Sequence, residues 1–177
     1  MMNLVEQNIL QILDKLLKVK SVIKSIDPIV ARVEQELIQD HKALMAWEPI
    51  PLTIYGKELP AMILSSWVFI LRAGATTGAE RHPNSHQRMI SYRGKGDIQL
   101  QHDEKWHSHF LVSDLGASLE SRRASIPPNT WHQVVVPAKQ HWVVVSFHTV
   151  PETELIEERP DLIDPKLNRQ KKYLSKN

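Results

Sequence analysis

The stretch GATTGAERHPNSHQRMISYRGKG, Gly74 to Gly96, decides how the chain is read. It places Glu80, His82 and His86 within seven residues, interrupted by the turn-forming pair Pro83-Asn84. On a strand, residues two apart share a face, so Glu80 and His82 project together. If the chain reverses at Pro83-Asn84, His86 opens the next strand opposite them and three donor groups converge across a tight hairpin. A fourth donor follows in PPNTWH, Pro127 to His132, where a Pro-Pro-Asn turn leads His132 into the apolar run Val134 to Val136.

Around this stretch the chain reads as strands. SWVFILRA, QRMISYR, DIQLQ, SHFLVS, SLESRRASI, HQVVV and HWVVVSFHTV are short runs rich in β-branched and aromatic residues, separated by Gly, Pro, Asp and Lys. Strands with no helix between them imply a sandwich or a barrel. Upstream the period changes. Ile9, Leu13, Leu16 and Ile23 recur at three-, four- and seven-residue steps, the signature of an amphipathic helix. Asp27 is placed to cap and Pro28 to start a second helix running through IVARVEQELIQDHKAL, with Ile29, Val33 and Leu37 as its buried row. The expected organisation is a helical extension over 1–47, a β-barrel over 48–150 and a polar tail over 151–177 holding at most one short helix.

On these residues the sequence resembles the cupins, small β-barrel proteins with two short motifs, G-x5-H-x-H-x3-E-x6-G and P-x-G-x2-H. Gly74, Glu80, His82 and His86 fall at the spacing of the first motif, and Gly94 closes it one residue late. Pro127, Asn129 and His132 fall on the second, with Asn129 in place of glycine, a mild change because Asn tolerates the left-handed backbone. The family order His, His, Glu is permuted here to Glu, His, His. The resemblance covers about Pro60 to Thr149. It implies a mostly β, cupin-type antiparallel barrel (a double-stranded β-helix or jelly-roll) with an N-terminal two-helix extension, and a metal site formed by Glu80, His82, His86 and His132. Three imidazoles and one carboxylate suit a divalent transition metal, Fe, Mn, Ni, Cu or Zn, better than Mg or Ca.

If His86 faces the barrel interior, alternation turns Arg88, Ile90 and Tyr92 inward and Gln87, Met89 and Ser91 outward. Arg88, with Tyr92 alongside, then either binds an anionic group of a small substrate or pairs with an acidic residue of the protein. His107 and His109 lack the motif's glycine, and His41, His102, His141 and His148 are read as structural or exposed.

Composition narrows the partners. Twenty-two Lys and Arg against 20 Asp and Glu leave a net charge of +2, too little for a general nucleic-acid surface, and the basic segment KLNRQKKYLSK reads as a solvated terminus. The chain has no cysteine, which excludes disulfides, thiolate nucleophiles and sulfur-built zinc sites. The N-terminal apolar residues are interrupted by Glu6, Gln7, Asp14 and Lys15, unlike an export signal or membrane span, so a cytoplasmic protein without membrane association is expected. The resemblance implies a metal-dependent, dioxygenase-like enzyme acting on a small molecule inside the barrel, or an isomerase or decarboxylase in the same pocket. The alternative is a non-catalytic ligand-binding or scaffold cupin whose metal is structural or absent. The apolar stripe of the helices must be covered by the barrel or by a second copy, and a homodimer is the expected assembly.

Overall fold

A computed structural model describes residues 3–161, 163–164 and 167–174. Two helices, α1 (Leu4–Leu16) and α2 (Lys20–Gln39), precede ten strands. These are β1 (Met45–Pro49), β2 (Ser65–Leu71), β3 (Gln87–Arg93), β4 (Lys95–His102), β5 (Lys105–Val112), β6 (Arg123–Ile126), β7 (His132–Val135), β8 (Trp142–His148), β9 (Ile156–Pro160) and β10 (Asn168–Lys172). Every ladder is antiparallel, in a five-stranded sheet ordered β1-β2-β8-β3-β6, a three-stranded sheet ordered β5-β4-β7 and the hairpin β9-β10. The two larger sheets face one another as a jelly-roll barrel. Leu71, Met89, Ile98, Leu111, Trp142 and Val144 form the core between them.

The helices lie on the outer face of the five-stranded sheet. Leu13, Val22, Ile26, Val33 and Leu37 pack there on Val68, Ile70, Val143, Val145 and Phe147. The apolar stripe of both helices is thus covered by the chain's own barrel. With a core on each side, β8 is buried at every position, which is why WVVVSFH is apolar except for Ser146 and His148 and shows no alternation.

Several details depart from expectation. The helices break at Leu17–Val19, well before Pro28, which sits inside α2. The buried row shows why: a helix continuing from Ile9, Leu13 and Leu16 would next bury positions 20 and 23 or 24, whereas the row resumes at Val22, Ile26 and Ile29. A break restores the phase. Pro28 and Lys24 are exposed, so the carbonyl that loses its donor to the proline lies toward water. Asp27 caps no helix and instead accepts a hydrogen bond from the Tyr92 hydroxyl at 2.8 Å. After Pro151 no helix forms among the described residues; the segment holds the β9-β10 hairpin, which packs Leu155 and Tyr173 against Trp67. β1 spans the boundary expected at Trp47 and pairs along its whole length with β2.

The facing of β3 is the reverse of that expected. Met89 points into the barrel core, whereas Ile90 and Tyr92 belong to the helical layer. Arg88 therefore lies beneath α1, where it is 2% exposed and donates two hydrogen bonds to the Glu6 carboxylate, at 2.9 and 2.7 Å. Ser125 donates to the same carboxylate at 2.8 Å. About two turns further along the helix, Asp14 accepts from Arg122 at 2.7 Å and from Lys18 at 2.8 Å. Burial alone would push Glu6 up, but Arg88 and Ser125 hold it below the usual carboxylate range.

Breaking one side of such a buried pair strands the other charge. Glu6→Ala is expected to cost about 3–5 kcal/mol in urea denaturation, and adding Arg88→Met should recover most of the loss. Equal destabilisation in the single and double variants would show that the charges are not what holds α1.

Candidate metal centre

Glu80 and His82 lie between β2 and β3 on a segment threaded between β7 and β9. Glu80 and His132 exchange backbone hydrogen bonds of 2.9 and 2.8 Å, and Arg81 does the same with Glu158 at 2.9 Å each way. Glu80 and His132 are thus direct neighbours across a two-residue bridge, and His82, two residues on, projects to the same side. The carbonyl of His82 accepts from the amide of Asn129, which takes φ of 62°, the left-handed conformation anticipated for the residue in the glycine position. The donor atoms of Glu80, His82 and His132 all lie within 4.8 Å of one another.

The hydrogen bonds of the two imidazoles fix their tautomers. His82 Nδ1 lies 2.8 Å from the Ile156 carbonyl and His132 Nδ1 lies 3.1 Å from the Thr130 carbonyl. A carbonyl only accepts, so both Nδ1 atoms carry hydrogen and the remaining Nε2 atoms are the ones free to ligate. His132 Nε2 is buried with no hydrogen-bond partner, 3.5 Å from Glu80 Oε1. A nitrogen lone pair facing a carboxylate at that distance calls for a cation between them, a proton or a metal ion. The other carboxylate oxygen, Oε2, pairs with Arg159, which also donates to Glu157 at 2.9 Å. Ligand atoms about 2.1 Å from one ion lie roughly 3.4 Å apart in a tetrahedral site, so any pair near the 4.8 Å limit would have to draw together to close on one.

The electrostatics follow from the dry surroundings. Burial, reinforced by His132, pushes His82 down to about 4 from its ordinary 6.5. Burial would push Glu80 up, but His132 and the Arg159 guanidinium hold it down to about 2. At neutral pH the cluster presents an ionised carboxylate and a neutral His82.

Of the residues expected here, His86 is absent from the cluster. With β3 turned over, its Nε2 lies 2.7 Å from Ser125 Oγ in the Glu6–Arg88 network on the far side of the sheet. Arg88 and Tyr92 face the same way and are occupied by Glu6 and Asp27, so neither points at the cluster. The internal partner, not a substrate anion, is what Arg88 meets.

Other residues take their places. His148, read as structural or exposed, is fully buried with its ring 5.3 Å from that of His82, and Ser85 and Ser146 hydroxyls lie 3.2 Å from its two nitrogens. The expected polar tail supplies the Ile156 carbonyl, Arg159 and the Tyr173 ring, 6.2 Å from His82. The motif spacing has no means of reporting these. The interior beside the cluster is a cavity of about 30 Å³, lined by Gln87 and by apolar side chains including Phe69, Leu71, Met89, Ile98 and Val134.

A histidine that folds in its neutral form makes stability pH-dependent. Between about 4 and 6.5 the unfolded chain binds the proton that folded His82 refuses, so stability falls as the pH drops through that window. His148, which burial pushes well below its ordinary value, acts in the same direction. Urea denaturation of the metal-free protein in EDTA is expected to lose about 2 kcal/mol between pH 7 and pH 5 from His82 alone. The slope should flatten in His82→Gln. An unchanged slope in that variant would place the acid sensitivity elsewhere.

No protein-family model and no curated protein matches the chain. Among solved structures, it is similar to the capsular polysaccharide assembling protein CapF from Staphylococcus aureus, at 16% identity and a TM-score of 0.48 over 61% of this chain and 29% of that one. It is similar to oxalate decarboxylase from Lactobacillus farciminis, at 11% identity and a TM-score of 0.47 over 61% and 29%. Pumpkin seed globulin gives 17% identity and a TM-score of 0.48 over 65% and 28%. The chain spans less than a third of each of these proteins. Its own strand order, and the way Gly74–Gly96 and Pro127–His132 come together at one seam, give an antiparallel jelly-roll barrel.

Proposed function

We propose that this cupin holds a divalent transition metal through Glu80, His82 and His132, and that oxygenase-type chemistry on a small organic molecule is the activity this donor set supports best. One observation carries the reading: a donor atom from each of Glu80, His82 and His132 lies within 4.8 Å of the others, and both histidines have Nδ1 bound to a backbone carbonyl, which leaves Nε2 as the free nitrogen of each. Two nitrogens and one oxygen fit Fe, Mn, Ni, Cu or Zn; the set is one histidine short of that expected from the motif. A bound ion of this kind supplies Lewis acidity or redox chemistry at its open positions.

The chain's own groups do the rest. The carbonyls of Ile156 and Thr130 fix the rings, and Arg159 keeps Glu80 ionised while leaving Oε1 facing the histidines. The apolar lining keeps bulk water out and strengthens each of these electrostatic contacts.

The volume beside the cluster favours a second reading. A cavity of about 30 Å³ holds little more than a water molecule, so an organic substrate requires the barrel wall around it to move. If that wall stays closed, the ion is structural and the barrel serves as a binding module or scaffold. Isomerase or decarboxylase chemistry requires the same movement.

Elemental analysis of protein purified without an affinity tag separates these readings. Near-stoichiometric transition metal is expected in the wild type and in His86→Ala, and little or none in His82→Ala and His132→Ala. Metal-free wild type that stays so after reloading would sink the proposal. Bound metal whose removal lowers the melting temperature, with no oxygen uptake across a panel of small organic acids, would establish the structural reading.

A further inference from the structure

The two facing sheets meet along two seams that are closed differently. At one, the Glu80–His132 and Thr76–Val135 bridges zip the segment before β3 to β7. At the other, the edge strands β5 and β6 form no ladder among the described residues, and a single backbone bond from Val112 to Ser121, 2.8 Å, ties them near one end. A cavity of about 240 Å³ opens along this second seam, bounded by Gln7 of α1, Leu100 and His109 of β4 and β5, and Glu120, Arg123 and Ala124.

Arg123 is the anomaly in its wall. It is 7% exposed, makes no ion pair or hydrogen bond among the described residues, and has Nη1 sealed from solvent without a partner. The other deeply buried arginines of the helical layer are matched, Arg88 by Glu6 and Arg122 by Asp14. Arg123 feels Asp14 and Glu120 only through space, and Asp14 is already committed to Arg122 and Lys18. A buried guanidinium without a counter-charge costs several kcal/mol, a cost that a bound anion would remove.

We infer that the β5–β6 seam binds a small monocarboxylate, its carboxylate on the Arg123 guanidinium and its hydrocarbon body against Leu100 and Ala124. The planar fork of arginine matches a carboxylate. Glu6, Asp14 and Glu120 in the surroundings oppose a second negative charge, which disfavours phosphate. The site lies at the opposite edge of the three-stranded sheet from the Glu-His-His cluster and needs no metal.

The test is calorimetric titration and thermal unfolding of the full chain in EDTA, at constant ionic strength, with acetate, butyrate, benzoate and inorganic phosphate. Saturable binding of butyrate or benzoate is expected, weakened about tenfold or more in Arg123→Met and retained in His132→Ala. Without ligand, Arg123→Met should melt at or above the wild-type temperature, because it removes an unpaired buried charge. Arg123→Lys, which keeps the charge and loses the fork, should bind more weakly than wild type. The inference is overturned by absence of saturable carboxylate binding, by equal binding of phosphate, by binding that survives Arg123→Met, or by a destabilised or unfolded Arg123→Met, which would make the residue structural.

Discussion

The five-stranded sheet has no wet face: its inner side packs on the three-stranded sheet and its outer side on α1 and α2. Most polar groups on it find a partner within the protein, because an unmatched group in that environment costs more than a typical hydrogen bond contributes. Much of the molecule can be read as the answer to that demand. On the inside, Trp142 donates to Ser91 at 2.8 Å. On the outside, Tyr55 and Ser66 share a 2.8 Å hydrogen bond, and Ser66 donates in turn to the Ser146 carbonyl. Arg88 and Arg122 could not be left beneath a helix unless that helix brought Glu6 and Asp14 with it. The N-terminal helices are thus the other half of the sheet's electrostatics as well as its apolar cover.

The same dryness governs the Glu-His-His cluster. Nearly sealed from water, its imidazoles cannot turn freely to whichever tautomer solvent favours; backbone carbonyls choose for them. The carboxylate stays ionised only because a guanidinium and an imidazole flank it. Donors held in this way lose little freedom when they close on an ion, which is the physical content of preorganisation.

How much of this was legible in the sequence depended on whether a signal was local. The seven central strands announced themselves by β-branched runs, and the spacing of Glu80, His82 and His132 was enough to bring these three together. The facing of β3 was not legible. Alternation says which residues share a side but not which side is inward, and with both sides buried, burial could not choose. His86, Arg88 and Tyr92 were therefore assigned together to the wrong face. β9 was hidden by composition: ELIEERP looks solvent-exposed, and only the partners Arg81, Glu80 and Thr77 show how its charges are accommodated. His148 sat within an apolar run and carried no spacing signal.

The β9-β10 hairpin also divides the barrel from its site along the chain. A chain emerging from the ribosome presents Glu80 and His82 long before His132, and His132 before Ile156 and Arg159. The barrel's two sheets need nothing beyond His148, so they are able to close while the cluster still lacks the carbonyl that orients one ring and the cation that steadies its carboxylate. The ladders of the sheets and the geometry of the cluster are thus separable: the first close with residues up to His148, the second takes its orienting carbonyl and its cation from β9.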